Sequence, residues 1–375
     1  MCSKAENETL YDSRLYDTGG SFDLLVHTHH LNMGNSTRKN KRKQFLRIIV
    51  AVTLAITLLG VLFFASQKWC MKEYSNERYS TFWDDPSQYD IWFMGSSHMY
   101  YSVQPMKLWE DHGYTSYDIA TPSATIPMTY WVLMNALERG TPKLVVVDLY
   151  HIDMDNKTVT MIDKLHYALD AIPESETKEE AMDDLFDTPQ KKRAFTDPLY
   201  IDDGAYDKLL NARTKYHFPL TKGNLMVDSV TDISGNKIVP KDETLDSETL
   251  GMVYMRKIID ECRKRDIDIL ITALPYSGLE IKQKGLHTGI KLAEEEGITA
   301  LDYSYCPDVL DYSTCFSEDG HPNITGGAIL TKEIGDYIAA NYDIPDHRMN
   351  DKETADHWNE DLRQLKEKFS MQPVF

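Results

Sequence analysis

The stretch Ile48–Ser66 (IIVAVTLAITLLGVLFFAS) constrains this chain more than any other part of it. It runs without a charge or a strongly polar side chain. A helix rises about 1.5 Å per residue, so these residues reach roughly 28 Å, close to the hydrocarbon thickness of a bilayer. A core helix of a soluble domain is usually amphipathic, and this segment has no polar face. A cleaved secretion signal fits poorly, because the apolar region is too long and the leader before it exceeds about forty residues. No small-x-small cleavage site follows. Residues 48–66 therefore read as a transmembrane helix, with the lipid bilayer as their partner.

Charge divides at the same place. The full chain of 375 residues carries 40 Lys+Arg against 59 Asp+Glu, a net of −19. The leader up to Arg47 is basic, through Arg38, Lys39, Lys41, Arg42, Lys43 and Arg47, and everything after it is strongly acidic. Basic residues flanking a span stay in the cytoplasm, which places the leader inside and Gln67–Phe375 outside the cell membrane as a single-pass protein. The acidity argues against a nucleic-acid partner, since phosphates are held by Lys and Arg. It also disfavours a polyanionic polymer as ligand and favours a neutral glycan or a zwitterionic acceptor.

The leader 1–47, rich in Asn, Ser, Thr and Lys, is expected to be disordered. A polar connector covers 67–88. From 89 to 345 short apolar runs alternate with amphipathic stretches. Tyr89–Met94, Tyr117–Ala120, Lys143–Leu149, Ile267–Leu274 and Ile298–Tyr303 read as strands. Between them, Pro105–Asp111, Pro127–Arg139, Leu250–Arg265, Glu280–Glu296 and Thr325–Tyr342 read as helices. This alternation predicts an α/β fold, a flavodoxin-like three-layer sandwich with about five parallel strands. The rhythm lapses over 151–245, which reads as an insertion or a cap over the strand ends, with Lys237–Pro240 as a hairpin piece. The tail 346–375 offers an amphipathic helix through Trp358, Leu362, Leu365 and Phe369, suited to packing on the same domain.

Five cysteines are present. Cys306 and Cys315 are near enough in sequence to bridge a loop. No CxxC or HExxH spacing suggests a metal site, and no cofactor is implied.

In a parallel sheet, ligands sit beyond the carboxyl ends of the strands. Two segments there carry chemistry. Gly95-Ser96-Ser97-His98 follows the first strand, and a serine in such a turn needs a base to become a nucleophile. Glu318-Asp319-Gly320-His321 precedes the last helix, where His321 could take the Ser97 proton and Glu318 or Asp319 could orient its ring. His98 beside the nucleophile, and Asp148 and Tyr150 after the third strand, are further candidates. So are His151 and Asn211–Pro219 (NARTKYHFP), whose aromatic, basic and amide groups suit sugar recognition.

These motifs resemble the SGNH/GDSL hydrolase superfamily, in which the nucleophile follows the first strand and an Asp-x-x-His lies near the carboxyl terminus. The resemblance covers roughly Tyr89–Tyr342 outside the insertion. It implies Ser97 as nucleophile, His321 as base, and Glu318 or Asp319 as the acid. The GSSH form, the TPKLVVVDL pattern and the single span look like a membrane-tethered branch. That branch includes the D-alanyl-transfer protein of teichoic-acid operons and the alginate O-acetyltransferase accessory proteins. An acyltransferase or esterase acting on a cell-envelope polysaccharide, beside a membrane-bound O-acyltransferase, is what this likeness implies. Two departures stand out. The segment after the second strand has no Gly, leaving the Ser123 or Ala124 N–H as oxyanion donors, and Asp148, Tyr150 and His151 stand where the family has an Asn after the third strand. These departures also fit the alternative of a non-catalytic SGNH-fold protein that binds polymer or assists the acyltransferase.

Overall fold

Successive residues of a strand point to opposite faces, so a strand buried on both sides must be apolar throughout. Leu144–Val147 is such a run, followed by the buried Asp148, and a computed structural model shows where its two faces go. The structure describes residues 23–368 except 160–161, 187, 190–191, 193–194, 196–217, 276–277 and 318–319, and without side chains at 23–37, 66–81, 162–163 and 218–219. Two compact units divide at Ala65 and Ser66.

In the first unit, Arg38–Ala65 is one helix long and apolar enough to cross a membrane. Its large side chains, among them Leu54, Ile56 and Leu59, are exposed, as a lipid-facing helix requires. The helix α1 spans Asp23–Asp84. From Asp23 onward the leader belongs to this helix. The apolar span supplies a long nucleated helix, and Lys, Arg and Leu extend it at little cost. Residues 1–22 lie outside the described residues.

The second unit holds the sheet. Its strands are β1 (Ile91–Met94), β2 (Ser116–Asp118), β3 (Leu144–Asp148), β4 (Asp268–Ala273) and β5 (Ala300–Asp302). They are all parallel and stand in the order β2-β1-β3-β4-β5. Ile91 pairs with Ser116 on one side and Leu144 on the other. The expected strands are therefore present, β2 beginning one residue early at Ser116 and the others shorter than expected.

Alternation sorts the strands into two cores. Ile91, Phe93, Leu144, Val146 and Leu270 face one layer. That layer contains α2 (Ser97–Ser102), α3 (Pro105–His112) and α10 (Ile324–Asn341). Trp92, Met94, Val145, Val147, Ile269 and Ile271 face the other. That layer contains α4 (Ile126–Arg139), α8 (Leu250–Lys264) and α9 (Glu280–Glu295). The chain builds β1 and β2 in one direction, then returns past β1 to place β3 on its other side. The carboxyl ends of β1 and β3 thus flank a topological switch point, where such sheets form their crevice.

The connector ends inside the domain: Phe82, at the end of α1, is fully buried against Tyr89, Trp92 and Tyr117. The insertion divides in two. Its helices α5 (Ile162–Leu169) and α6 (Glu176–Leu185) pack on α4 and extend that helical layer. Leu165, Leu169, Met182 and Leu185 bury there, so this half does not cap the strand ends. A short helix, α7 (Phe218–Thr221), leads into the second half. That half runs beside the strand carboxyl ends: Ile324 N–H donates to Val227 O (2.7 Å) and Thr231 N–H to Phe316 O (2.8 Å).

Lys237–Pro240 forms no strand. Gln283 clasps it instead, accepting from Val239 N–H and donating to Lys237 O. Pro240 has no N–H to offer a strand ladder, and the next residue, Lys241, pairs through its ammonium with Asp302 of the edge strand β5. Cys306 and Cys315 remain free thiols in a small apolar cluster with Leu310 and Phe316. The tail forms α11 (His347–Asn350) and α12 (Lys352–Lys368). Trp358 on α12 is buried against Trp109 of α3, whose indole N–H donates to Asn359. Phe369 and the side chains of Asn211–Pro219 lie outside the described residues.

Candidate active site

The turn after β1 is set by Gly95. Its φ of 140° lies where side-chain-bearing residues rarely go, and a Cβ there would stand 2.9 Å from the Asp148 Cβ. Ser96 then caps α2, its hydroxyl accepting from His98 N–H. Ser97 is the first residue of that helix and sits at the switch point.

Its partner arrives from the far end of the chain. Ser97 Oγ and His321 Nε2 are 2.9 Å apart, across 224 residues of sequence. Three devices hold His321 there. The loop before it is pinned by Ser317, whose N–H and hydroxyl both donate to His321 O (2.8 and 3.1 Å). Asn323 caps α10 by accepting from Thr325 and Gly326 N–H, and its amide donates to Ser229, Thr314 and Phe316 carbonyls. Gly327 lets α10 approach α2 closely, since a Cβ there would lie 2.8 Å from Tyr101 O. The Gly326-Gly327 pair thus serves proximity.

Aromatic rings frame the pair. Tyr101 stacks on His321 at 4.5 Å between centroids, and His98 lies 4.7 Å from it. His98 in turn stacks on Tyr150 at 3.7 Å. Burial, with the neighbouring His321 and His151 adding to it, holds the His98 imidazole far below its usual range, so it is neutral at pH 7. Ser97, His98, Tyr150 and His321 therefore converge as expected of one site. Tyr101 was not marked as a candidate, although it lies four residues after Ser97 on the same helix, where i and i+4 share a face. Lys282 and Asp153 are further additions: they pair at 2.8 Å, with the ammonium 5.3 Å from the Tyr150 ring centroid. Their positions in sequence carry no signal of this, because the contact joins the loop after β3 to α9.

The remaining candidates divide. Glu318 and Asp319 lie outside the described residues. Ser123 occupies a left-handed turn with φ of 57°. The Ala124 N–H is committed to Thr121 O (3.1 Å), and Thr121 N–H donates to Gly95 O (2.9 Å), tying this turn to the nucleophile turn. Asp148 is fully buried beside Gly95, and its carboxylate accepts from the Tyr150 and Leu274 N–H groups. It knits the ends of β3 and β4 together. Among the described residues no group of three His, Cys, Asp or Glu could hold a metal ion.

No family model and no curated protein matches this sequence. Among solved structures, a Bacteroides fragilis protein named as a candidate acylhydrolase is similar in fold. It shares 14% identity, with 70% of this chain and 95% of that chain covered, at a TM-score of 0.36. The likeness is too slight to bear on the site, which stands on its own geometry.

Asp148 has a consequence for pH. Burial pushes its carboxyl up to about 7. Between about pH 4 and 7 the native chain therefore keeps a proton that the unfolded chain has released, and stability from this group falls as pH rises through that window. His98 and His151 act in the opposite sense, because burial lowers both. Comparison with Asp148→Asn cancels the histidines. The melting temperature of the variant relative to wild type is expected to rise by several degrees from pH 5 to pH 8. A constant difference across that range would show that Asp148 stays ionised.

Proposed function

We propose that this protein is a membrane-anchored, serine-dependent acyl transferase or esterase. The observation that carries the reading is the 2.9 Å contact of Ser97 Oγ with His321 Nε2 at the switch point of the sheet. In this reading Ser97 Oγ attacks the carbonyl carbon of an acyl donor, and its proton passes to His321 Nε2. His321 then gives that proton to the leaving group, whose bond to the carbonyl carbon breaks. Water or an acceptor hydroxyl attacks the acyl-serine, and the proton returns to Ser97 through His321. Glu318 or Asp319 holds the imidazole. The Ser97 N–H, in the first turn of α2 where N–H groups lack helical partners, faces the developing oxyanion with the Ser123 N–H as second donor.

The tether at Arg38–Ala65 suits a substrate that is itself held at the membrane. With the basic leader inside, the acidic domain works outside the cell, on a neutral or zwitterionic cell-envelope polysaccharide. A membrane-bound O-acyltransferase is the partner that would hand it acyl groups.

The test is labelling of the detergent-solubilised chain with a fluorophosphonate probe. Labelling at Ser97, confirmed by peptide mass, is the expected result. No labelling of Ser97 under conditions that label a control serine esterase would favour a non-catalytic polymer-binding role.

A further inference from the structure

His151 takes no part in the chemistry described so far, yet its placement is unusual. Ile152 N–H donates to Leu149 O (3.0 Å), closing a turn in which His151 holds the third position with φ of 70°. A positive φ at that position ordinarily selects Gly or Asn. Strain of this kind persists where surrounding contacts enforce it, and such sites cluster where ligands bind. The enforcing contact is visible: His151 Nδ1 lies 2.9 Å from Ala124 O. A carbonyl only accepts, so Nδ1 carries the proton and the neutral ring presents a lone pair at Nε2. That nitrogen has no hydrogen-bond partner among the described residues.

The location ties His151 to the nucleophile. Ala124 O belongs to the turn whose Thr121 N–H binds Gly95 O. On its other side His151 touches Tyr150 at 4.3 Å between ring centroids, and Tyr150 stacks on His98. Burial lowers the imidazole to about 4, so above about pH 5 Nε2 has no proton to give an oxyanion.

We propose that His151 seats the acyl acceptor, its Nε2 accepting a hydrogen bond from a hydroxyl of a polyhydroxylated molecule such as a sugar ring. The inference rests on the acyl-transfer reading and adds to it the residue that seats the acceptor. His151 acts here as a binding residue, and His321 keeps the proton transfer. A hydroxyl-rich acceptor then competes with water for the acyl-serine because one of its other hydroxyls is already anchored.

His151→Asn separates this role from a structural one. Asparagine tolerates the left-handed backbone and retains an N–H for Ala124 O, but has no group at the place of Nε2. The experiment uses the full chain in detergent, p-nitrophenyl acetate as donor and methyl β-D-glucoside as acceptor. It reads the p-nitrophenol burst, the ratio of acetylated glucoside to free acetate, and the melting temperature. His151→Asn is expected to keep the melting temperature and the burst while the transfer ratio falls about tenfold, through a raised KM for the glucoside. An unchanged ratio and KM in a variant that bursts normally would overturn the assignment of His151 and leave the acyl-transfer reading intact. Absence of a burst in the wild-type chain would overturn both.

Discussion

Ser97→Ala is expected to lower ester turnover by about 10⁴-fold or more while leaving the fold intact. Removing one member of a nucleophile–base pair removes the function of the pair, so its effect approaches that of losing both. Ser97 is the first residue of α2, and the cap of that helix comes from Ser96, whose hydroxyl accepts from His98 N–H. Alanine is a good helix former and leaves that cap in place. The melting temperature should therefore shift by no more than a degree or two. His321→Ala should match the loss, and the double variant should lose little more. Steady-state hydrolysis of p-nitrophenyl acetate, alongside thermal melting, checks all three. Substantial turnover in Ser97→Ala would remove the serine from the mechanism.

Gly95→Val is expected to cost stability and activity together. The backbone there sits at φ 140°, and a Cβ would approach the Asp148 Cβ to 2.9 Å. Backbone strain of this kind costs about 1–3 kcal/mol. Forcing a branched side chain against a packed strand end adds about 1–3 kcal/mol. A loss of about 4 kcal/mol is the expected sum, visible as a lowered urea midpoint for the solubilised chain. Relief of the strain would move Ser97, and a displacement of about 1 Å at a reacting atom costs on the order of 10²-fold in rate. Gly95→Ala should show the same signs at smaller magnitude. A valine variant with wild-type stability would mean that the turn does not need its left-handed backbone.

How much of this could be read in advance follows from the kind of force involved. The membrane span, the five strands and the main helices are matters of periodicity and local burial. Ile48–Ser66 has no polar face, and Leu144–Val147 is apolar on both of its faces. Such patterns are local, and the sequence states them directly. The candidates Ser97 and His321 were also legible, because turn residues after a strand and before a helix mark the sheet's reactive edge.

Other features depend on which surfaces meet. Nothing local distinguishes the insertion's helices, whose apolar stripes pack on α4, from a cap over the strand ends. Lys237–Pro240 reads like a hairpin piece by composition, yet its backbone is clasped by Gln283 of α9. Tyr101 and the Lys282–Asp153 pair join the site only because α2, the loop after β3 and α9 converge.

The sequence by itself thus determined the elements, the long apolar helix and the two candidates Ser97 and His321, since hydropathy and turn chemistry act over a few residues. Tertiary structure decided that those two ends meet. The order β2-β1-β3-β4-β5 opens a crevice at β1 and β3. Close approach of α10 to α2 through Gly327 then brings His321 to 2.9 Å from Ser97. Tertiary structure likewise decided that His151 presents a lone pair rather than a proton. Its tautomer is set by one carbonyl, Ala124 O, contributed by a turn 27 residues away in sequence.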